Sequence, residues 1–69
     1  MSKYFINKTC DENGKNEVHK SSCAWFKIVK NYAELGEFND GIAAVDYAKA
    51  NGYPNADGCK HCCPEAHTA

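Results

Sequence analysis

The chain of 69 residues is predicted to form a small α+β domain, in which a short antiparallel sheet of two or three strands packs with one helix. Short runs of aromatic and β-branched residues indicate the strands. An alanine-rich run with one apolar stripe indicates the helix. The third observation is five cysteines, a strong excess for a chain of this length. So short a chain buries only roughly 60% of the surface that its unfolded form exposes. We therefore expect one domain, residues 1–69, with a staple that supplements its core.

The strands are predicted from local composition. Residues 3–7 are aromatic and β-branched and form the first strand. The pair Asn13-Gly14 is a strong turn signal, so the chain is expected to return through a second short strand at 17–19. A third strand is expected near Tyr32–Leu35. Residues 53–58 read as a loop, and the tail 65–69 is expected to be disordered.

The helix is the clearest element and is predicted over about 40–51. Asn39 or Asp40 can cap it, since either side chain accepts from the free N–H groups of the first turn. Gly52 suits a left-handed stop at the C-terminal end. The apolar stripe that faces the sheet is predicted to contain Ile42, Val45 and Ala48, with Ala44 at its edge.

Charge and hydropathy restrict the function classes. Eight lysines, no arginine and nine acidic residues give a formal net charge of −1, which argues against a basic nucleic-acid module. No apolar run is long enough to span a bilayer, and the N-terminus lacks the long apolar segment of a signal peptide. We expect a cytoplasmic monomer without membrane contact. Thiols stay reduced in that compartment, so clustered cysteines indicate metal rather than disulfides.

Two close ligand pairs predict the metal site. His19-x-x-x-Cys23 is the first and Cys59-x-x-Cys62 is the second. Tetrahedral Zn²⁺ takes four nitrogen or sulfur ligands, which commonly arrive in such pairs. The sequence therefore predicts a zinc ion that ties the start of the fold to its end, with Cys63 as an alternative to Cys62. A core lined with buried thiols is the competing interpretation.

Other reactive or aromatic side chains have simpler explanations. Cys10 is expected to be a free surface thiol in a polar turn, and His61 and His67 are expected to face solvent rather than bind metal. Trp25, Phe26 and Tyr32 serve either as core or as an aromatic platform for a base or a peptide. Core is favoured, because a short chain needs nearly every large apolar group inside.

Several motifs follow one another over roughly residues 18–64. They are His19-x-x-x-Cys23, Phe38 before the alanine-rich helix, Gly52-Tyr53, Gly58-Cys59-x-x-Cys62 and Pro64. In this order they resemble the Ada-type metal-binding domain. The resemblance implies a small α/β zinc domain. The best-known member of that family repairs methyl phosphotriesters in DNA, with its first zinc cysteine as methyl acceptor. The matching position here is His19, and an imidazole is a far poorer nucleophile than a thiolate.

The sequence thus favours a structural-zinc module without enzymatic activity that mediates interaction with a protein or with nucleic acid such as DNA. Two alternatives belong to other classes. One is Ada-like repair, with a zinc thiolate as the methyl acceptor. The other is a zinc-linked thiol redox sensor, in which Cys63 or Cys10 is oxidised and the metal is released.

Overall fold

The computed structural model describes residues 1–24, 26 and 29–68. Its elements, in chain order, are β1 (Ser2–Asn7), β2 (Asn16–Lys20), β3 (Tyr32–Phe38), α1 (Gly41–Ala50) and β4 (Ala56–Gly58). A short 3₁₀ helix, Pro64–Ala66, follows β4. The predicted α+β class is confirmed.

The four strands form one mixed sheet in the order β3-β1-β2-β4. β1 pairs antiparallel with both β2 and β3, which confirms the three predicted strands. β4 pairs parallel with β2 and was missed, because its three residues were interpreted as the end of a loop. A three-residue strand has too few positions to show an alternating pattern. The long connection through β3 and α1 returns β4 beside β2.

The helix lies close to its predicted bounds. Asp40 is the N-cap, and its Oδ1 accepts from the Ala43 N–H at 2.9 Å. Gly52, just beyond the end, has φ +101°, the left-handed conformation in which glycine is unstrained. The predicted stripe needs one correction: Ile42 is 48% exposed, and Gly41 instead lies at the buried end of the stripe. A Cβ at Gly41 would lie 2.9 Å from Cys63 Cβ, so the helix start approaches the C-terminal segment on that side.

The main core lies between α1 and one face of the sheet. It is built from small and medium side chains: Tyr4, Ile6, Val18, Leu35, Ala44, Val45, Ala48, Ala56, Cys63 and Ala66. The small helical residues allow the helix to approach the strands closely. Gly58 is needed for the same reason, because a Cβ there would lie 2.6 Å from the Cys63 carbonyl oxygen.

The opposite face of the sheet carries aromatic residues. Successive side chains of a strand point to opposite faces, so Phe5 points away from the helix that its neighbours Tyr4 and Ile6 face. Phe5 stacks on Phe26 with ring centroids 4.7 Å apart, and Tyr32 packs edge-on against both rings. Tyr32 remains 48% exposed. Trp25, the third member of the predicted aromatic group, lies outside the described residues.

The C-terminal tail has specific contacts as far as residue 68, whereas the sequence predicted disorder over 65–69. Glu65 Oε2 accepts from the Gly41 N–H at 2.8 Å. The Thr68 N–H and hydroxyl both donate to Asp57 Oδ1. Asp57 is buried, and a buried carboxylate requires donors, which the tail supplies. Within the described part of the chain, no helix has the length and apolar content needed to cross a membrane.

Candidate metal centre

The first ligand candidate, His19, lies near the end of β2. Residues 17 and 19 share one strand face, because side chains alternate along the strand. His19 Nε2 is 3.5 Å from Glu17 Oε1. The imidazole is only 2% exposed, and its Nδ1 has no hydrogen-bond partner among the described residues. A buried nitrogen without a partner is costly, so this atom indicates a ligand.

β4 places Cys59 beside His19. The parallel register pairs Glu17 with Asp57 and Val18 with Gly58. The next step of that register brings residue 59 alongside residue 19, and the Cys59 N–H extends the ladder by donating to the Val18 carbonyl at 2.9 Å. Cys59 is 2% exposed. The strand that sequence reasoning missed is therefore the element that positions this cysteine.

Cys23 reaches the same point from the turn after β2. Its N–H donates to the Lys20 carbonyl at 3.0 Å, which closes a tight turn. Cys23 Sγ lies 3.9 Å from Cys59 Sγ. A disulfide needs about 2.05 Å between sulfurs. The separation instead matches two ligands of one ion, because four ligands at about 2.3 Å in a tetrahedron are about 3.8 Å apart.

Cys62 and Cys63 are adjacent but point to different places. The Cys63 N–H donates to the Cys59 carbonyl at 2.8 Å, which turns the chain back on itself. Cys62 Sγ accepts from the Lys20 N–H at 3.3 Å, so it lies beside the end of β2. Cys63 is fully buried in the core under α1. Of the two candidates that the sequence left open for the fourth ligand, the one that lies with the other three is Cys62.

One atom from each of four residues lies within 4.8 Å of the others; these residues are His19, Cys23, Cys59 and Cys62. This is the set that the sequence predicted. It is the one such group of three or more histidine, cysteine or acidic residues in the part of the chain that the structure describes. Cys62 is half-buried and the other three residues are buried, so the cluster sits at a protected edge of the sheet.

The electrostatics of the cluster suit a cation. Burial lowers the pKa of His19, so its imidazole is neutral and keeps a lone pair for a metal. Burial also raises the pKa of the Cys62 and Cys63 thiols above their ordinary value. Sulfur ligands bind metal as thiolates, so a divalent ion must offset this desolvation. With the partnerless Nδ1, three sulfurs and all four ligand atoms within 4.8 Å of one another, the donor set fits Zn²⁺.

The other histidines and Cys10 lie outside the cluster. His67 Nδ1 is 3.0 Å from the Gly58 carbonyl oxygen and 3.6 Å from Asp57 Oδ2. His61 is exposed, as is Cys10, whose Sγ lies 3.8 Å from Asn16 Oδ1.

Two cavities border the cluster. A cleft of about 790 Å³ has His19 and Cys59 among its lining residues, and its walls also include Asp11, Glu17 and Asp57. A smaller cavity of about 410 Å³ lies on the other side. Its lining residues are Lys20, Ser22, Cys23, Ala24, His61 and Cys62.

Glu17 is the neighbour of the site that sequence reasoning missed, since it was predicted only as a residue of the second strand. Burial, and then the nearby Asp11 carboxylate, raise the pKa of Glu17. Its spacing of two from His19 on a strand was the available signal.

Comparison of the chain with family models, with curated proteins and with solved structures found no match.

Proposed function

We propose that this chain is a small zinc-binding module, in which the ion is structural and the folded surface mediates interaction with another macromolecule. The convergence of His19, Cys23, Cys59 and Cys62 within 4.8 Å carries the proposal. Zinc joins the end of β2 to the segment after β4, which are far apart in sequence. In small zinc peptides such a tie contributes about 10–16 kcal/mol of apparent free energy.

The donor set favours structural zinc over other metals and over catalysis. Three thiolates and one imidazole are typical zinc ligands, whereas hard ions such as Mg²⁺ and Ca²⁺ prefer oxygen. Catalytic zinc keeps three protein ligands and an open position. Four protein donors converge here, the number that a closed structural zinc site uses. The residues hold and shield the ion, and Lys20 supports the Cys62 sulfur through its N–H.

The cleft beside the zinc site favours a protein partner over nucleic acid. Its walls carry four carboxylates but only two lysines, in addition to histidines. These charged residues are Asp11, Glu12, Glu17, Asp57, Lys30 and Lys60. Phosphate backbones are bound by clustered cationic groups, which this wall lacks. A protein surface with exposed basic groups is complementary to it.

Native mass spectrometry of the chain expressed with added zinc tests the metal site. We expect one zinc per chain in the wild type and in Cys10→Ser, which changes a cysteine outside the cluster. We expect loss of zinc in His19→Ala and Cys62→Ser. A folded wild-type chain without metal would indicate a thiol-lined core and would refute the proposal.

Anisotropy of labelled duplex and single-stranded DNA, at low salt, tests the choice of partner. We expect no binding, because electrostatic attraction to phosphates is strongest at low salt and is absent here. Saturable binding would show that nucleic acid is the partner and that the charge of the cleft is not decisive.

The family resemblance supplies a second candidate, methyl acceptance from DNA phosphotriesters. His19 occupies the position of the acceptor and is 2% exposed. The reaction would therefore need another zinc ligand, and Cys62 is the one least buried. Exposure to methylated DNA followed by intact mass measurement decides between the two. We expect no gain of a methyl group; a gain mapped to Cys62 would make the protein a repair factor.

A further inference from the structure

We propose that Cys62 and Cys63 form an oxidant-reactive pair, which closes to a disulfide on reaction with a hydroperoxide and releases the zinc. The inference rests on the proposed zinc site. It arises from Cys63, a fully buried thiol that the metal cluster does not use. Its Sγ lies 3.7 Å from Cys62 Sγ, closer than Cys23 Sγ is to Cys59 Sγ.

Cys62 is the zinc ligand that an oxidant reaches. Cys23 is 6% exposed and Cys59 is 2% exposed, whereas Cys62 is half-buried. The 410 Å³ cavity opens onto the Cys62 side of the cluster, and Lys20 and Ser22 line it. A hydroperoxide is far smaller than this cavity. Lysine and serine can donate hydrogen bonds to its oxygens.

The chemistry balances with one equivalent of hydrogen peroxide. The Cys62 sulfur, which bound zinc would keep as a thiolate, attacks one peroxide oxygen; an S–O bond forms, the O–O bond breaks, and the hydroxide that leaves takes a proton from solvent to become water. The Cys63 sulfur then attacks the Cys62 sulfenic acid. An S–S bond forms, the S–O bond breaks, and the leaving hydroxide takes the Cys63 proton to become the second water. The two sulfurs lose two electrons in total, and the peroxide gains them.

Disulfide formation removes one zinc ligand and disturbs the core in the same event. Cys63 packs against Gly41 at the start of α1, and its carbonyl faces Gly58 at the end of β4. Movement of the Cys63 sulfur toward Cys62 draws that sulfur away from Gly41. Zinc release and loosening of the helix are therefore coupled through two neighbouring residues.

The test uses the zinc-loaded full chain, with zinc content measured before oxidation. Hydrogen peroxide is added, released zinc is followed with a chromogenic chelator, and products are mapped by peptide mass spectrometry. We expect the wild type to lose its zinc and two hydrogens, with the bond mapped to Cys62–Cys63. A thiol reductant with added zinc then restores the complex.

Cys63→Ala separates this pair from general cysteine oxidation, and Cys10→Ser is the matched control. Without Cys63 the Cys62 sulfenic acid loses the neighbouring sulfur that the proposed zinc does not hold, since the nearby Cys23 and Cys59 are ligands in the proposed site. It then advances to sulfinic acid, which thiol reductants do not reverse. We expect Cys63→Ala to lose zinc binding irreversibly and Cys10→Ser to behave as wild type.

Four outcomes would overturn the proposal. A wild-type bond mapped to Cys23–Cys59 would place the reactive pair elsewhere, and this result does not depend on whether Cys63→Ala folds. Full recovery of Cys63→Ala after oxidation would show that Cys63 has no resolving role. A starting protein without zinc would refute the proposed function itself, whereas a zinc-loaded protein that resists peroxide refutes only the switch.

Discussion

The two faces of the sheet differ in the kind of side chain that they bury. On the helix face, apolar side chains such as Ile6, Val18 and Ala48 are fully buried and pack tightly. On the other face, His19 converges with Cys23 and Cys59; all three residues are buried, at 2–6% exposure, but are polar or ionisable. Apolar burial is non-directional, so one apolar side chain can replace another of similar size. Metal ligation is directional, because each ligand atom must lie at a fixed distance from the ion.

The difference shows where a chain of this size obtains its stability. Alanines form much of the helix contribution to the core, and each alanine buries little apolar area. The helix face alone is therefore a weak source of stability. In the proposed zinc-bound form, the ligand cluster compensates by joining the end of β2 to the C-terminal segment. The two faces should consequently respond differently to metal removal, to cavity formation and to loss of charge.

Metal removal should have the largest effect. With excess EDTA at pH 7 we expect unfolding, because about 10–16 kcal/mol of apparent free energy exceeds the net stability of about 5–15 kcal/mol that small domains possess. Circular dichroism at the helix minimum measures it, with zinc-saturated EDTA as the control. A chain that keeps its spectrum without metal would show that the helix face suffices alone.

A cavity in the apolar face should cost less and leave the metal in place. Ile6 is completely buried, and Ile6→Ala is expected to lower the free energy of unfolding by about 2–5 kcal/mol. Ile42→Ala is the matched control: this side chain is 48% exposed, so its loss should cost within about 0.5 kcal/mol.

Urea unfolding of the zinc-loaded variants gives these values, and native mass spectrometry counts the zinc. Both variants should retain one ion per chain. If Ile6→Ala lost its zinc while remaining folded, the two faces would be a single cooperative unit rather than two separate sources of stability.

Removal of a charge beside the ligands should change metal affinity more than fold stability. Glu17 Oε1 is 3.5 Å from His19 Nε2. A carboxylate in this position orients a ligand imidazole and increases its basicity, and loss of such a partner typically lowers affinity 10–100-fold, an order-of-magnitude range. We expect Glu17→Gln to weaken zinc binding to that extent in competition with a chromogenic chelator.

Glu34→Gln is the control for that measurement. Glu34 lies on β3 and approaches Lys3 at 4.0 Å with both side chains at least half exposed, so its charge should not influence the site. Equal affinity in Glu17→Gln and Glu34→Gln would mean that packing alone orients His19.

Most residues of the ligand cluster could be predicted from the sequence, but little could be predicted of how the fold positions them. Ligand type and pair spacing were sufficient to propose His19, Cys23 and Cys59, with Cys62 or Cys63 as the fourth ligand, since those features are local. β4 could not be predicted, because its three residues form a strand only through pairing with β2. The choice between Cys62 and Cys63 depends on the direction of two adjacent side chains, which the chain turn at 59–63 determines.

Two further differences between the sequence expectations and the structure have the same origin in tertiary contact. Ile42 was assigned to the buried stripe, but the C-terminal segment approaches α1 at Gly41 and leaves Ile42 outside. The tail was expected to be frayed, yet Asp57 and Gly41 give it partners at Thr68 and Glu65. No local pattern reports a contact between segments that are remote in sequence.

The smallest expected effect lies at the start of the helix. Asp40 satisfies the Ala43 N–H and Glu65 satisfies the Gly41 N–H, so two separate carboxylates share the free donors of the first turn. Asp40→Ala should lower the free energy of unfolding by about 1 kcal/mol, and Asp40→Asn by much less, because asparagine caps equally well without the charge. Urea unfolding of the zinc-loaded variants separates the cap hydrogen bond from the interaction with the helix dipole. Zinc affinity should be unchanged in both, since the cap belongs to the helix face; a weakened affinity would show that the two faces communicate through Glu65 and the neighbouring Cys63.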